Sequence, residues 1–133
     1  MNKFAKDFHT LHYIIKHSNK ILLFAHSRPD ADTTGSCLAM KHHLVEKGKL
    51  VDIACFDPFP DFLEPISQDN FLFPDHLDLS GYNAIIACDS VERGFEKIKD
   101  KLGNKQVVIL LDHHPDITIK GDVNIIDPSY SSV

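Results

Sequence analysis

Apolar residues occur along the chain in short runs that are separated by segments with a helical period. The run 21–25 is apolar at consecutive rather than alternate positions, so it predicts a strand buried on both faces, as in a parallel sheet. The predicted strands span residues 21–25, 50–56, 84–88, 106–111 and, more briefly, 123–126.

Helical spacing of apolar residues predicts three helices around these strands. They span residues 3–17, 35–47 and 93–102, with Gly48 ending the second and Gly103 ending the third. Prolines break the segment 57–74, which we interpret as loops with short helical turns. Strands that alternate with helices indicate an α/β fold with a parallel sheet and right-handed crossovers.

Length and charge narrow the classes of function. The chain has 133 residues, enough for one domain with its own core, and a formal net charge of −5 at pH 7. No apolar run approaches the ~20 residues that span a bilayer, so we expect no membrane partner. The N-terminal residues do not resemble a secretory signal, which favours the cytoplasm. The negative charge argues against binding to duplex nucleic acid but is compatible with a small phosphorylated substrate.

The cysteines and most histidines show no pattern that indicates chemistry. The three cysteines lack the close pairing typical of a zinc knuckle or a redox pair, and we predict buried, reduced thiols. Six of the nine histidines lack acidic partners at ligand spacing and are interpreted as surface or packing residues. These are His9, His12, His17, His42, His43 and His76.

Acidic and imidazole side chains follow three of the predicted strands directly. The segment 26–32 contains His26, Asp30 and Asp32, Asp89 follows the run 84–88, and 112–114 reads Asp-His-His. Because the carboxyl ends of parallel strands meet at one edge of a sheet, these residues predict one polynuclear metal site. Asp and His suit Mn²⁺ or Mg²⁺, and the absence of Cys from these positions argues against structural zinc. His113 and His114 would point in different directions, one to a metal and the other to substrate.

Several of these polar residues also have simpler interpretations. Asp89 taken alone is more typical of a turn or a helix N-cap. Arg28 suits either a phosphate contact or a solvated surface charge. Gly35 and Ser36 are predicted to open the second helix, where free N–H groups and the Ser36 hydroxyl would bind an anion, or where Ser36 would only cap the helix.

The residues His26, Pro29, Asp30, Asp32, Gly35 and Ser36 form the motif H-x-x-P-D-x-D-x-x-G-S. Together with Asp89 and the Asp-His-His sequence at 112–114, this motif resembles the DHH phosphoesterase family. The chain is most similar to its short members, described as oligoribonucleases, 3′-phosphoadenosine 5′-phosphate phosphatases or exopolyphosphatase-related proteins. The resemblance covers essentially all 133 residues.

The resemblance implies a three-layer, Rossmann-like parallel sheet with helices on both faces and a two-metal site. It implies Mn²⁺, with Mg²⁺ or Co²⁺ as alternatives. His26 and Asp30 would hold one metal, Asp32 and His113 the other, and Asp89 would bridge the two. The implied catalytic residues are His114, which contacts the substrate phosphate, and Asp112, which orients a ligand. Arg28 and Ser36 remain the candidates for further substrate contacts.

The activity implied by the resemblance is hydrolysis of short oligonucleotides or 3′-phosphonucleotides by a metal-activated water. The alternatives are a pyrophosphatase or exopolyphosphatase of the same superfamily, or an inactive nucleotide- or metal-binding module. Short single-stranded RNA or DNA would then be a partner, and a homodimer is a further expectation. Phe56, Phe59 and Phe62 would suit base stacking, although core packing is the favoured interpretation.

The resemblance implies a fourth motif and a C-terminal substrate-binding domain that we expect to lie beyond residues 1–133. We therefore expect residues 1–133 to form the N-terminal part of a DHH catalytic domain. Activity of this part alone is expected to be weak or absent.

Overall fold

The computed structural model describes residues 2–133 and is built on a five-stranded sheet in which every neighbouring pair of strands is parallel. The strand order is β2-β1-β3-β4-β5, which confirms the predicted α/β class. The strands are β1 (Lys20–Phe24), β2 (Leu50–Ala54), β3 (Ala84–Cys88), β4 (Val107–Asp112) and β5 (Val123–Ile126).

Helices and turns cover both faces of the sheet, so the molecule has the three layers expected. The helices are α1 (Ala5–His17), α2 (Ala31–Glu46) and a single turn, α3 (Glu96–Lys99). On one face, the core includes Leu11 and Ile15 of α1 and Cys37 and Leu44 of α2. On the other face it includes Val91, Phe95 and Ile98. None of the helices within residues 2–133 is long and apolar enough to cross a membrane.

The strand order reverses between β1 and β3, and this point positions the polar residues. From β1 the chain crosses to β2 at one edge, and β3 then returns to the other side of β1. The loops that leave the carboxyl ends of β1 and β3 therefore diverge and open a crevice between them. Ligands of open α/β sheets bind at such a crevice.

Helix α2 begins at Ala31, four residues before the predicted start at Gly35. Asp30 is its N-cap, and the Asp30 carboxylate accepts a hydrogen bond from the Thr33 amide at 3.0 Å. The prediction that Gly35 and Ser36 open the helix is therefore wrong. Ser36 lies inside the helix, away from the free N–H groups of the first turn.

The predicted helix 93–102 is also largely wrong, because only Glu96–Lys99 is a regular helix. Residues Val91–Phe95 form a kinked turn with non-helical backbone angles at Glu92, Arg93 and Gly94. Gly94 has a φ of +145°, a conformation that side chains with a Cβ rarely adopt, and it prevents a continuous helix.

The second strand is shorter than the predicted 50–56. It ends at Ala54, which forms an isolated bridge with Leu72, and the Cys55 amide donates to the Leu72 carbonyl at 3.0 Å. The segment 57–74 contains short 3₁₀ turns at Asp61–Leu63 and Pro74–His76, as predicted for a proline-rich loop. All three cysteines are buried and free, which confirms that prediction. The six histidines interpreted as surface or packing residues are all exposed.

Candidate metal centre

His26 is buried completely just beyond the end of β1, and its ring is held in one tautomer. Its Nδ1 lies 2.7 Å from the Ser27 carbonyl oxygen, which can only accept, so Nδ1 donates and, in the neutral ring, Nε2 carries the lone pair. That Nε2 lies 3.3 Å from the Oδ2 atom of Asp30 and 3.8 Å from the Oδ2 atom of Asp89. The Nε2 atom of His26 thus faces two carboxylates, and in the neutral ring it does so with a lone pair.

Asp30 divides its two carboxylate oxygens between the helix and His26. Oδ1 accepts from the Thr33 amide as the N-cap, which leaves Oδ2 directed at the imidazole. Partial burial raises the pKa of Asp30, but the Thr33 hydrogen bond and the attraction of His26 outweigh it. The pKa of Asp30 therefore lies below its usual value, and this carboxylate is ionised at neutral pH.

Asp89 is the most constrained carboxylate of the group. It is 1% exposed and has a φ of +56°, an uncommon conformation for a residue with a Cβ, which strained functional residues often adopt. Its Oδ1 atom lies 3.3 Å from both His113 Nε2 and His114 Nδ1. Burial above all, together with repulsion from Asp32 and Asp112, raises the pKa of Asp89 to about 6.

His113 joins Asp32 to Asp89 across the crevice. Its Nδ1 lies 3.1 Å from the Tyr130 carbonyl oxygen, so Nδ1 donates and Nε2 again carries the lone pair. That Nε2 lies 3.1 Å from Asp32 Oδ2 and 3.3 Å from Asp89 Oδ1. Asp32 also accepts hydrogen bonds from the Ser36 hydroxyl at 3.4 Å and from the Val133 amide at 3.1 Å.

Asp112 is buried at the end of β4 and orders the two histidines that follow it. Its Oδ1 atom accepts from the amides of His113 and His114 at 2.8 and 3.0 Å and from His114 Nδ1 at 2.7 Å. Its Oδ2 atom accepts from the Val91 amide at 3.2 Å. Because Nδ1 of His114 donates to Asp112, Nε2 is the ring nitrogen of His114 left for another partner.

These residues form two clusters that share Asp89. In the first, one ligand atom each of His26, Asp30 and Asp89 lies within 4.8 Å of the others, and in the second the same holds for Asp89, His113 and His114. His26 Nε2 and Asp89 Oδ1 are buried and have no hydrogen-bond partner among residues 2–133. Buried polar atoms without partners are costly, and bound cations would supply partners to both His26 Nε2 and Asp89 Oδ1. The donor set of imidazole nitrogens and carboxylate oxygens fits divalent cations such as Mn²⁺ or Mg²⁺.

The other predicted site residues lie at the rim of these clusters or away from them. Arg28 is exposed in a left-handed turn, where its amide donates to Asp57 Oδ2 at 2.6 Å. Ser36 donates its hydroxyl to Asp32, which in turn lies beside His113 of the second cluster. Phe56 and Phe59 pack against other phenylalanines, and Phe62 is 63% exposed. The interpretation as packing residues is therefore correct for Phe56 and Phe59 and wrong for Phe62.

Sequence reasoning missed residues that hold the candidate ligands in place. Thr33 is fully buried between the ends of β1 and β3, and Gly94 packs against the backbone of His26. A signal for Thr33 was present, because Thr33 lies four residues before Cys37 and eleven before Leu44, on the inward face of α2. The backbone partners of His26 and His113, at Ser27 and Tyr130, carry no signal in the sequence.

Both the sequence and the fold of this chain are similar to those of known proteins. The sequence model of the DHH family, N-terminal domain, matches residues 20–133. Among solved structures, an exopolyphosphatase-related protein from Bacteroides fragilis superimposes with a TM-score of 0.83 at 24% sequence identity. The match covers 99% of this chain but 42% of that protein, so this chain spans less than half of the length of the protein it matches.

Proposed function

The chain belongs to the DHH family, and we propose on that basis that it carries the cation-binding part of a metal-dependent phosphoesterase. The observation that supports this proposal most directly is the pair of clusters joined at Asp89, with unpartnered atoms on His26 and Asp89. Two cations at a shared carboxylate are typical of enzymes that hydrolyse phosphoesters.

The residues of this chain divide between the two proposed cations. His26 and Asp30 would hold one, His113 and Asp32 the other, and Asp89 would contribute to both. Bound cations would make a water molecule more acidic and would neutralise charge on the phosphoryl oxygens. The tautomers of His26 and His113 are already fixed by their backbone partners, so both rings present a lone pair without rearrangement.

Substrate contact is proposed for His114, whose side chain is 35% exposed at the mouth of the crevice. Asp112 holds Nδ1 of that ring, which leaves Nε2 to meet a phosphate oxygen. Arg28 is proposed as a phosphate contact from the rim, while the hydroxyl of Ser36 supports Asp32.

The proposed substrates are short oligonucleotides or 3′-phosphonucleotides, with Mn²⁺ as the cation and the cytoplasm as the location. A second candidate is pyrophosphate or polyphosphate, because the matched Bacteroides fragilis protein is described as exopolyphosphatase-related. Both classes present an anionic phosphoryl group to the same cations, so the substrate must be identified by direct comparison.

The test is to incubate the full-length protein with Mn²⁺ and, in parallel, a dinucleotide, 3′-phosphoadenosine 5′-phosphate or pyrophosphate. We expect Mn²⁺-dependent hydrolysis of one of the two nucleotides, loss of it in Asp89→Asn and retention in Asp75→Asn. Asp75 is a suitable control because it is half exposed and pairs with Lys101. Turnover of pyrophosphate alone would favour the second candidate, and no turnover of any compound would refute the enzymatic proposal.

A further inference from the structure

Thr33 occupies the point at which β1 and β3 separate. The register of these strands sets Phe24 against Ala87, so one further step would set Ala25 against Cys88. A parallel ladder would then join the His26 amide to the Cys88 carbonyl. Instead, the Thr33 hydroxyl lies between them, accepting from the His26 amide at 3.2 Å and donating to the Cys88 carbonyl at 2.7 Å.

The backbone amide of Thr33 positions Asp30, the N-cap of α2. It donates to Asp30 Oδ1 at 3.0 Å, which turns Oδ2 of Asp30 toward His26. Thr33 thus contacts His26, Asp30 and the residue immediately before Asp89. The first cluster consists of His26, Asp30 and Asp89, and Thr33 itself is completely buried.

We propose that Thr33 is a positioning residue whose hydroxyl sets the spacing of His26, Asp30 and Asp89 for the first cation. This proposal rests on the proposed function, since it assumes that the cluster binds a cation. The hydroxyl replaces a ladder hydrogen bond that the divergence of the two strands removes, so the strands can open a crevice without leaving a buried amide and carbonyl unpaired. An apolar side chain at this position would leave both groups without a partner.

The neighbouring residue provides a matched control. Thr34 lies on the same helix, is also fully buried, and its hydroxyl has no hydrogen-bond partner among residues 2–133. Thr33→Val and Thr34→Val therefore remove the same hydroxyl group from adjacent buried positions. Only the first removes a connection to the candidate ligands. Thr33→Ser keeps the hydroxyl and tests for rescue.

The experiment measures Mn²⁺ binding to the full-length protein and to the three variants by calorimetric titration. We expect Thr33→Val to weaken one of two sites by roughly 10- to 100-fold, the range for loss of a group that supports a metal ligand. Thr34→Val and Thr33→Ser should match the wild type. Unchanged binding in a folded Thr33→Val, or equal loss in Thr33→Ser, would overturn the proposal.

A second measurement separates this proposal from the proposed function. In metal-free protein, hydrogen exchange of the His26 amide should be faster in Thr33→Val and unchanged in Thr33→Ser, since only the valine removes the acceptor. Absence of saturable Mn²⁺ binding to the wild type would refute the proposed function itself. Normal exchange at His26 in Thr33→Val would refute the role of the hydroxyl, whatever the result with Mn²⁺.

Discussion

Asp112 is the residue on which the geometry of both histidines depends. Its two oxygens accept four hydrogen bonds, three at Oδ1 and one from the Val91 amide at Oδ2. Every one of these partners is a donor, and Asp112 is buried. A carboxylate, which only accepts, is therefore the group that this position requires.

We expect Asp112→Asn to destabilise the protein although it changes few atoms. The amide NH₂ group would face N–H donors and leave at least one of them without an acceptor, at a cost of about 1–3 kcal/mol. Urea unfolding of metal-free protein measures this loss, with Asp75→Asn as the exposed control. A wild-type unfolding free energy in Asp112→Asn would contradict the assignment of all four partners as donors.

The raised pKa of Asp89 predicts an unusual dependence of stability on pH. Its pKa rises from 3.8 to about 6, first through burial and then through Asp32 and Asp112, with His114 and His26 opposing. The folded state therefore holds this proton more tightly than the unfolded state, and the resulting stabilisation is lost as the pH rises from about 4 through 6.

We expect this loss, on the order of 1–3 kcal/mol, in metal-free wild type but not in Asp89→Asn. Urea unfolding of both proteins between pH 4 and 7, in the presence of a chelator, measures the difference. If the difference in unfolding free energy between wild type and Asp89→Asn stays constant from pH 4 to 7, Asp89 does not have the raised pKa.

At the scale of elements, the kinked turn Val91–Phe95 supports the loop that carries His26. The Arg93 carbonyl accepts a hydrogen bond from the Ser27 amide at 3.1 Å, and Gly94 packs against the backbone of His26 and Ser27. A Cβ on Gly94 would lie 3.2 Å from a ring carbon of Phe24 and 3.7 Å from the Cα of His26. Phe24 is fully buried and has little room to move.

We expect Gly94→Ala to destabilise the protein by about 1–3 kcal/mol, because it combines an unfavourable φ with a close contact in the core. Gly35→Ala is the matched control. Gly35 lies within α2, and a methyl group added there would meet nothing within 4 Å, so alanine should stabilise the protein by about 0.5–1 kcal/mol. Thermal and urea unfolding of both variants would show opposite signs, and equal effects would contradict this account.

The elements that the sequence predicts well are those that depend on local pattern. The run 84–88 matches β3 because continuous burial requires continuous apolar sequence. Residues 123–126 match β5, although Asn124 interrupts the apolar run and only Val123 is buried. The start of α2 differs from its prediction because Asp30, a candidate ligand, is at the same time the N-cap. The break at Gly94 could not be predicted because its cause, the backbone of His26, lies far away in the sequence.

Part of the candidate site could be predicted because its residues directly follow predicted strands. Parallel strands bring their carboxyl ends to one edge, so strand-end residues such as His26, Asp89 and Asp112 were expected to meet. Residue type alone does not distinguish Asp112, which is saturated by hydrogen bonds, from Asp89, which has an oxygen without a partner, and only the resemblance to the DHH family assigned them different roles. That difference depends on where backbone amides point, which cannot be read from the residue type.

At the scale of the whole molecule, the two proposed cation positions within a chain of net charge −5 would couple binding to stability. Asp30, Asp32 and Asp89 are brought together only in the folded state, so cations that bind there favour folding over unfolding. The effect is linkage and depends on cation concentration relative to Kd.

We expect Mn²⁺ at 100 times its Kd to raise the unfolding free energy by about 2.7 kcal/mol for each site. Asp30→Asn should lose part of this gain while keeping its metal-free stability, because Asn is as good an N-cap as Asp. Urea unfolding with and without Mn²⁺ measures both quantities. A full Mn²⁺ effect in Asp30→Asn would exclude Asp30 as a ligand.

The reversal of strand order between β1 and β3 also has a consequence for the course of folding. The pairing of these strands sets Ile21 against Ala84, so a long loop must close before His26 and Asp89 can meet, and closure of such loops slows folding. The second cluster further requires His113, which is synthesised later still. A nascent chain on the ribosome therefore cannot assemble both cation positions until β4 has emerged. Cations that filled both proposed positions would therefore bind only after β1, β3 and β4 have paired, and they would retard the opening of the sheet.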